Sequence, residues 1–162
     1  MPDFFENTRT IIEAVDDSAS YSLDNWNEHN FIVSSDLLFD VIKALKENGY
    51  QYLIDLTGAH YPDTEYEYQV VYHVQNLIEN LRVRIKVNLT TEKNEVSSIV
   101  DLYNAANWME RETFDFYGII FTGHPNLKRI LNLDDMDYHP MRKEYKLEDE
   151  TRNDKSDKYF GR

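Results

Sequence analysis

The sequence predicts an α+β fold: a mostly antiparallel sheet with helices packed on it, followed by an extended C-terminal tail. Three observations carry this. Leu81, Val83, Ile85, Val87 and Leu89 alternate with Arg82, Arg84, Lys86 and Asn88, the two-residue period of a half-buried strand. Leu37, Leu38, Val41, Ile42 and Leu45 recur at helical spacing, giving one buried stripe. From Asp134 onward both periods disappear, and LEDETRNDKSDKYFGR is polar, mixed in charge and poor in apolar residues, as expected of a segment without a core of its own. The expected division is therefore an α+β domain over 1–133 and a partner-docking tail over 134–162.

In chain order, Phe4 to Val15 places Phe4, Phe5, Ile11, Ile12 and Val15 on a short amphipathic helix. Phe31-Ile32-Val33 is a strand. Ser34-Ser35-Asp36 supplies N-cap chemistry for a helix reaching about Asn48, closed by Gly49. Gln51 to Thr57 is a strand ended by Gly58 and Pro62, and Glu65 to Val74 alternates as a second. That second strand and Leu81–Leu89 are expected to form a hairpin across Gln75 to Asn80, with the glutamates of one facing the Arg and Lys side chains of the other. A helical segment over 98–105, with Ile99, Leu102, Tyr103 and Ala106 on one face, should break near Asn104 to Asn107.

The bulk properties narrow the function. A chain of 162 residues suits one domain with an appendage. It contains no cysteine, so it supplies neither disulfides, iron–sulfur ligands nor a catalytic thiol. No apolar run approaches the roughly 20 residues needed to span a bilayer, and Met1 to Thr10 lacks the order of a signal peptide, so a soluble, cytoplasmic protein is expected. The net charge of −13 is concentrated early: residues 1–80 hold 15 acidic and 3 basic side chains, against 6 and 7 in residues 81–133. Such a surface repels phosphate backbones and reads as a solvated acidic face.

The segment Asn107 to Gly118, NWMERETFDFYG, holds four charges and four aromatic rings. Asn107 is a candidate N-cap with Glu110 completing a capping box, so a fresh helix is expected from Trp108 to a stop at Gly118. Arg111 and Asp115 stand four residues apart and can pair. A catalytic reading would recruit Glu110, Glu112 and Asp115 as acids and bases, but Glu110 and Glu112 point about 200° apart on a helix and cannot converge on one substrate. His124 and His139, each followed by a proline, lack a third ligand at metal spacing. They read instead as direction changes fixed by Pro125 and Pro140. A small RNA-binding module would use Tyr66, Tyr68 and Tyr72 to stack bases, yet their charged neighbours are Glu65 and Glu67, the wrong sign for phosphate.

The stretch ERETFDFYGIIFTGHPNLKRIL, Glu110 to Leu131, resembles the signature of the thirty-kilodalton (C) subunit of respiratory complex I. That signature runs Glu-Arg-Glu, one residue, aromatic, Asp, apolar, aromatic, Gly, then His-Pro, Leu, Arg and two aliphatics. It is met by Glu110, Arg111, Glu112, Phe114, Asp115, Phe116, Tyr117, Gly118, His124, Pro125, Leu127, Arg129, Ile130 and Leu131. LIDLTGAHYP, YQVVYHV and LRVRIKV upstream, and Tyr138-His139-Pro140-Met141-Arg142-Lys143-Glu144-Tyr145 downstream, extend the resemblance over roughly residues 51–146. The chain departs from the family where Asp-Met-Asp-Tyr precedes His139 in place of a Gly-Phe, and where Glu-Tyr-Lys follows Lys143 in place of Asp-Phe-Pro.

The resemblance implies a non-catalytic subunit in the hydrophilic arm of proton-translocating NADH:quinone oxidoreductase, peripheral on the cytoplasmic face of the inner membrane. It implies no cofactor in this chain, with flavin and iron–sulfur clusters in partner subunits, and packing against the quinone-site (forty-nine-kilodalton, D) subunit and neighbouring cluster-bearing subunits. Trp108, Glu110, Arg111, Glu112, Asp115, Tyr117, Gly118, His124, Pro125, Leu127, Arg129, His139, Pro140, Arg142 and Lys143 would then serve the partner interface rather than catalysis or metal binding.

Overall fold

The computed structural model describes residues 4–145 of the chain. Its elements are α1 (Phe4–Val15), β1 (Ser20–Leu23), β2 (His29–Val33), α2 (Leu38–Glu47), β3 (Tyr52–His60), β4 (Tyr68–Asn76), β5 (Leu81–Leu89), β6 (Glu95–Ser97), α3 (Ala106–Tyr117) and β7 (Ile120–Thr122). The expected α+β class is the observed one. Five strands form one sheet in the order β1-β2-β5-β4-β3, antiparallel except for β2 beside β5, while β6 and β7 pair in parallel as a small second ladder.

One face of the large sheet is covered. Phe31, Tyr72, Val74, Ile85 and Val87 point from β2, β4 and β5 into a core completed by Ile12 of α1, Leu38, Val41, Ile42 and Leu45 of α2, and Tyr50. Each such aliphatic side chain contributes roughly 1.5–3 kcal/mol through removal from water. Polar bonds brace this core: the Thr8 and Tyr50 hydroxyls meet at 2.6 Å, and the Tyr103 hydroxyl donates to the Tyr50 carbonyl at 2.5 Å.

Four local expectations are corrected. α2 starts at Leu38 without a side-chain cap. Of the candidate caps, Asp36 pairs with Lys93 through its carboxylate, while Ser34 is held by its backbone N–H, which donates to buried Asp16. β3 runs through Gly58 to His60, because Gly58 is where α3 lies closest: a Cβ there would stand 2.7 Å from the Tyr117 ring and 3.1 Å from the Thr113 methyl. The β4–β5 hairpin forms, but β4 begins at Tyr68, beyond the glutamates. Arg82 and Arg84 instead pair with Glu28 and Asp24 from the β1–β2 connection, and Lys86 stands opposite Val71.

The fourth correction concerns residues 98–105, which form turns rather than a helix. Their apolar positions are nonetheless those expected to be buried: Ile99, Tyr103 and Ala106 lie in the core. The turn is shaped from outside, by a carboxylate on α3 that takes the Ile99 N–H. Gly49 and Gly118, expected as helix stops, both have positive φ, 97° and 73°, conformations that glycine adopts without a Cβ clash.

Candidate partner interface

α3 lies on β3 with Ala106, Glu110 and Thr113 turned inward. The helix begins slightly earlier than expected, at Ala106, and neither Asn107 nor Glu110 caps it. Glu110 is fully buried. Its carboxylate accepts the Ser98 hydroxyl at 2.6 Å and the Ile99 N–H at 2.8 Å. Burial pushes its pKa up to about 7, and these two hydrogen bonds only partly oppose that rise. The Tyr72 hydroxyl, raised by burial and by the Glu110 charge, is likewise buried and has no hydrogen-bond partner among the described residues.

On the far side of α3, Asp115 organises the rest of the signature. One carboxylate oxygen accepts the backbone N–H groups of Ile130, Leu131 and Asn132 at 2.8–3.0 Å. The other accepts Arg129 Nη1 at 2.9 Å and Asn132 Nδ2 at 3.1 Å. Burial alone would raise the Asp115 pKa, but the N–H donors of residues 132, 131 and 130 and the Arg129 guanidinium outweigh it and hold it far below the usual carboxylate range. The Asp115 backbone carbonyl accepts from Arg129 and from His139 Nδ1. Arg129 in turn donates to the carbonyls of Met136 and Tyr138.

The expected Arg111–Asp115 pair is not formed. Arg111 donates to the carbonyls of Lys128 and Arg129 at 3.1 and 2.9 Å, and its guanidinium sits 5.2 Å from the centre of the Trp108 ring. Asp115 is already saturated by the loop that Arg111 helps to position. A lysine cannot reach two carbonyls in this forked geometry or present a plane to indole. Arg111→Lys is therefore expected to lower stability by about 1–2 kcal/mol, read as a shift of the urea midpoint at unchanged slope.

The other signature residues fall around this frame. His124 donates from Nε2 to the Asn107 carbonyl while its Nδ1 accepts the Asn126 N–H, leaving Pro125 to turn the chain and Leu127 to pack on the core. Tyr117 covers Gly58, and a side chain at Gly118 would collide with Arg142 and His139. Arg142 donates to the Tyr117 carbonyl at 2.8 Å and lies over the Tyr68 ring at 5.2 Å. The Lys143 N–H donates to His60 Nδ1 at 2.9 Å. Residues 134–145, assigned to the tail from sequence, are thus fastened to α3, β3 and β4 on either side of Pro140; residues 146–162 lie outside the described residues.

Glu110, Glu112 and Asp115 do not converge. Glu110 faces Ser98, Glu112 faces solvent, and Asp115 is filled by the loop. His124 and His139 serve backbone carbonyls. Tyr68 and Tyr72 are buried in the sheet core, and only Tyr66 is exposed. Sequence reasoning misses several participants: Asn132, Ser98, His60 and the backbone of 130–132. The one sequence sign of them is that Glu110 shares a helix face with Ala106 and Thr113, where a buried carboxylate requires donors from elsewhere in the chain.

Large apolar side chains lie among those that the braces leave exposed. Trp108, Leu131, Leu133 and Met141 are 61%, 67%, 70% and 48% exposed.

Comparison with known proteins agrees in sequence and in shape. Residues 31–151 match the sequence model of the family described as the respiratory-chain NADH dehydrogenase 30 Kd subunit. The chain is 40% identical over 125 residues to the NADH-quinone oxidoreductase (C) subunit of a Methylobacterium species, covering 75% of this chain and 58% of that one. It is 35% identical over 147 residues to the corresponding (C) subunit of Citrifermentans bemidjiense, covering 88% and 91%. The chain spans about half the length of several curated relatives that it matches. Among solved structures, a chain of the membrane-bound sulfane sulfur reductase, an archaeal respiratory membrane complex, superposes with a TM-score of 0.75 at 25% identity over 89% of this chain and 86% of that one.

Proposed function

Because the chain belongs to the family of the 30-kDa (C) subunit of respiratory-chain NADH dehydrogenase, we propose that it is a non-catalytic assembly subunit of the hydrophilic arm of an NADH:quinone oxidoreductase. In this reading it packs against the quinone-site (D) subunit and lies near cluster-bearing subunits that hold the flavin and the iron–sulfur centres. It would be held at the cytoplasmic face of the membrane through those partners; among the described residues no helix is long and apolar enough to cross a membrane. Residues 134–162 would be its docking tail, anchored on its own domain through residues 134–145.

The observation that carries this reading is how the signature is used. Its charged groups are consumed in positioning backbone, with Asp115, Arg111 and Arg129 all turned onto loop carbonyls and N–H groups. No pair of them converges on a cleft, while large apolar side chains are left facing outward. Buried braces beneath an exposed apolar surface are the anatomy of a pre-organised interface. The cysteine-free sequence adds that any cluster ligated by thiolates belongs to another chain.

Gentle affinity purification of the tagged chain from native membranes, followed by identification of every co-eluting protein, tests the proposal. Recovery of the quinone-site subunit with flavin- and cluster-bearing chains is expected. The separately purified chain should carry neither stoichiometric flavin nor iron. A chain recovered alone, or one that itself holds such a group, would refute the reading.

A further inference from the structure

We infer that the loop Leu131–Asp137 is a docking knuckle whose two leucines enter an apolar pocket, rimmed by Lys and Arg side chains, on the quinone-site subunit. The inference rests on the assembly role proposed above and specifies the chemistry of one contact within it.

Leu131 and Leu133 are the main apolar features of this loop, at 67% and 70% exposure. The loop that carries them is fixed rather than loose. The N–H groups of Leu131 and Asn132 end on the Asp115 carboxylate. The Met136 N–H returns to the Leu133 carbonyl, and the Met136 carbonyl is held by Arg129. Backbone donors and acceptors on both sides of the leucines are thus satisfied from within, and the side chains point away from the frame that satisfies them. A loop ordered in advance loses little further freedom on binding, which is what separates an anchor from an incidental surface leucine.

Charge selects the partner. Asp134, Asp135 and Asp137 are exposed and enter no ion pair or side-chain hydrogen bond with any described residue. Several other acids are paired, Asp24 with Arg84, Glu28 with Arg82, Asp36 with Lys93 and Asp115 with Arg129, whereas these three stand within four residues of one another, directly after the leucines. The nearest guanidiniums, Arg129 and Arg142, point inward onto carbonyls. The knuckle therefore offers two aliphatic side chains with an acidic border, and its complement is an apolar recess with a basic border. Two copies of this chain, each at −13, would bring like borders together, and an anionic lipid surface would be repelled in the same way. Trp108, joined to the 128–129 backbone through Arg111, extends the apolar surface along α3.

The test uses the full chain in the assembled complex, with a photo-crosslinking benzophenone amino acid at position 133. The expected adduct is to a quinone-site subunit peptide in which apolar residues are flanked by Lys or Arg. In parallel, Leu131→Ser with Leu133→Ser should weaken capture of that subunit roughly tenfold or more, as loss of a central anchor does, with thermal unfolding of the free chain unchanged. Charge reversal at all three aspartates (D134K, D135K, D137K) should slow association and remove most of its dependence on salt. An adduct within the chain's own residues 146–162, or normal capture by the leucine variant from a complex that assembles, would overturn the knuckle and leave the assembly reading standing. An adduct to a basic-rimmed peptide of a different subunit would keep the knuckle and refute only the choice of partner. Failure of the wild-type chain to co-purify with any subunit would overturn both.

Discussion

Asp115→Ala should destabilise the folded chain by about 3–5 kcal/mol, the usual consequence of removing one partner from a buried, hydrogen-bonded charge pair. The reason is what it leaves behind. Arg129 would stay in place with its main acceptor gone, and the N–H groups of Ile130, Leu131 and Asn132 would face an empty cavity. Each such stranded group carries its own desolvation penalty. Asp115→Asn should recover only part of the loss, since one of its two atoms would be a donor aimed at donors. For a chain of this size the alanine variant corresponds to a fall in melting temperature of roughly 10 °C, measured by circular dichroism. The amides of 130–132 should lose hydrogen-exchange protection well before the β4–β5 amides do. The sign with pH follows from the depressed Asp115 pKa: its contribution is complete above the unfolded carboxylate value near 4 and is lost as the pH falls toward the folded one. A variant that unfolds like the wild type would show that the Asp115 frame is incidental.

Glu110→Gln should have the opposite pH signature. The folded pKa of Glu110 is raised to about 7 from an ordinary value of 4.5, so the folded state binds this proton more tightly than the unfolded chain does. Stability from this group is fully present below about pH 4.5, declines between there and about pH 7, and is flat above. The interval corresponds to about 3 kcal/mol. The glutamine cannot ionise, yet its carbonyl can still take the Ile99 N–H, and the Ser98 hydroxyl can turn to accept from its amide. The variant should therefore be more stable than wild type at pH 8 and should lose most of the wild type's slope between pH 5 and 7, as measured by urea unfolding across that range. Equal slopes in the two proteins would mean that Glu110 is ionised in the fold at acid pH and that solvent reaches it.

These two acids mark the limit of what the linear sequence discloses about α3. The helix, its glycine stop and its unusual load of rings are legible from residues 106–118 alone. The role of each charge is not, because an i,i+4 rule compares only neighbours on one helix. Arg111 and Asp115 have the spacing of a pair, and a pair at the surface is worth a few tenths of a kcal/mol. In the fold each finds several partners 14 to 18 residues away, and those win because they also satisfy backbone groups that would otherwise be buried unpaired. The same competition explains why Glu110 serves Ser98 and Ile99 instead of a capping box.

The sequence by itself determined the α+β class, the periodic elements α1, α2 and β5, the hairpin of β4 with β5, the core stripes of α2 and β5, and the family, since each depends on local period, glycine placement or an ordered signature. Only the tertiary structure decided that β2 would lie parallel to β5, that residues 98–105 would turn instead of coil, and that residues 134–145 would close back over α3. Those outcomes depend on which distant donors meet buried carboxylates and carbonyls, and a buried polar group takes whatever partner the folded chain brings within hydrogen-bond reach, however far along the sequence it lies.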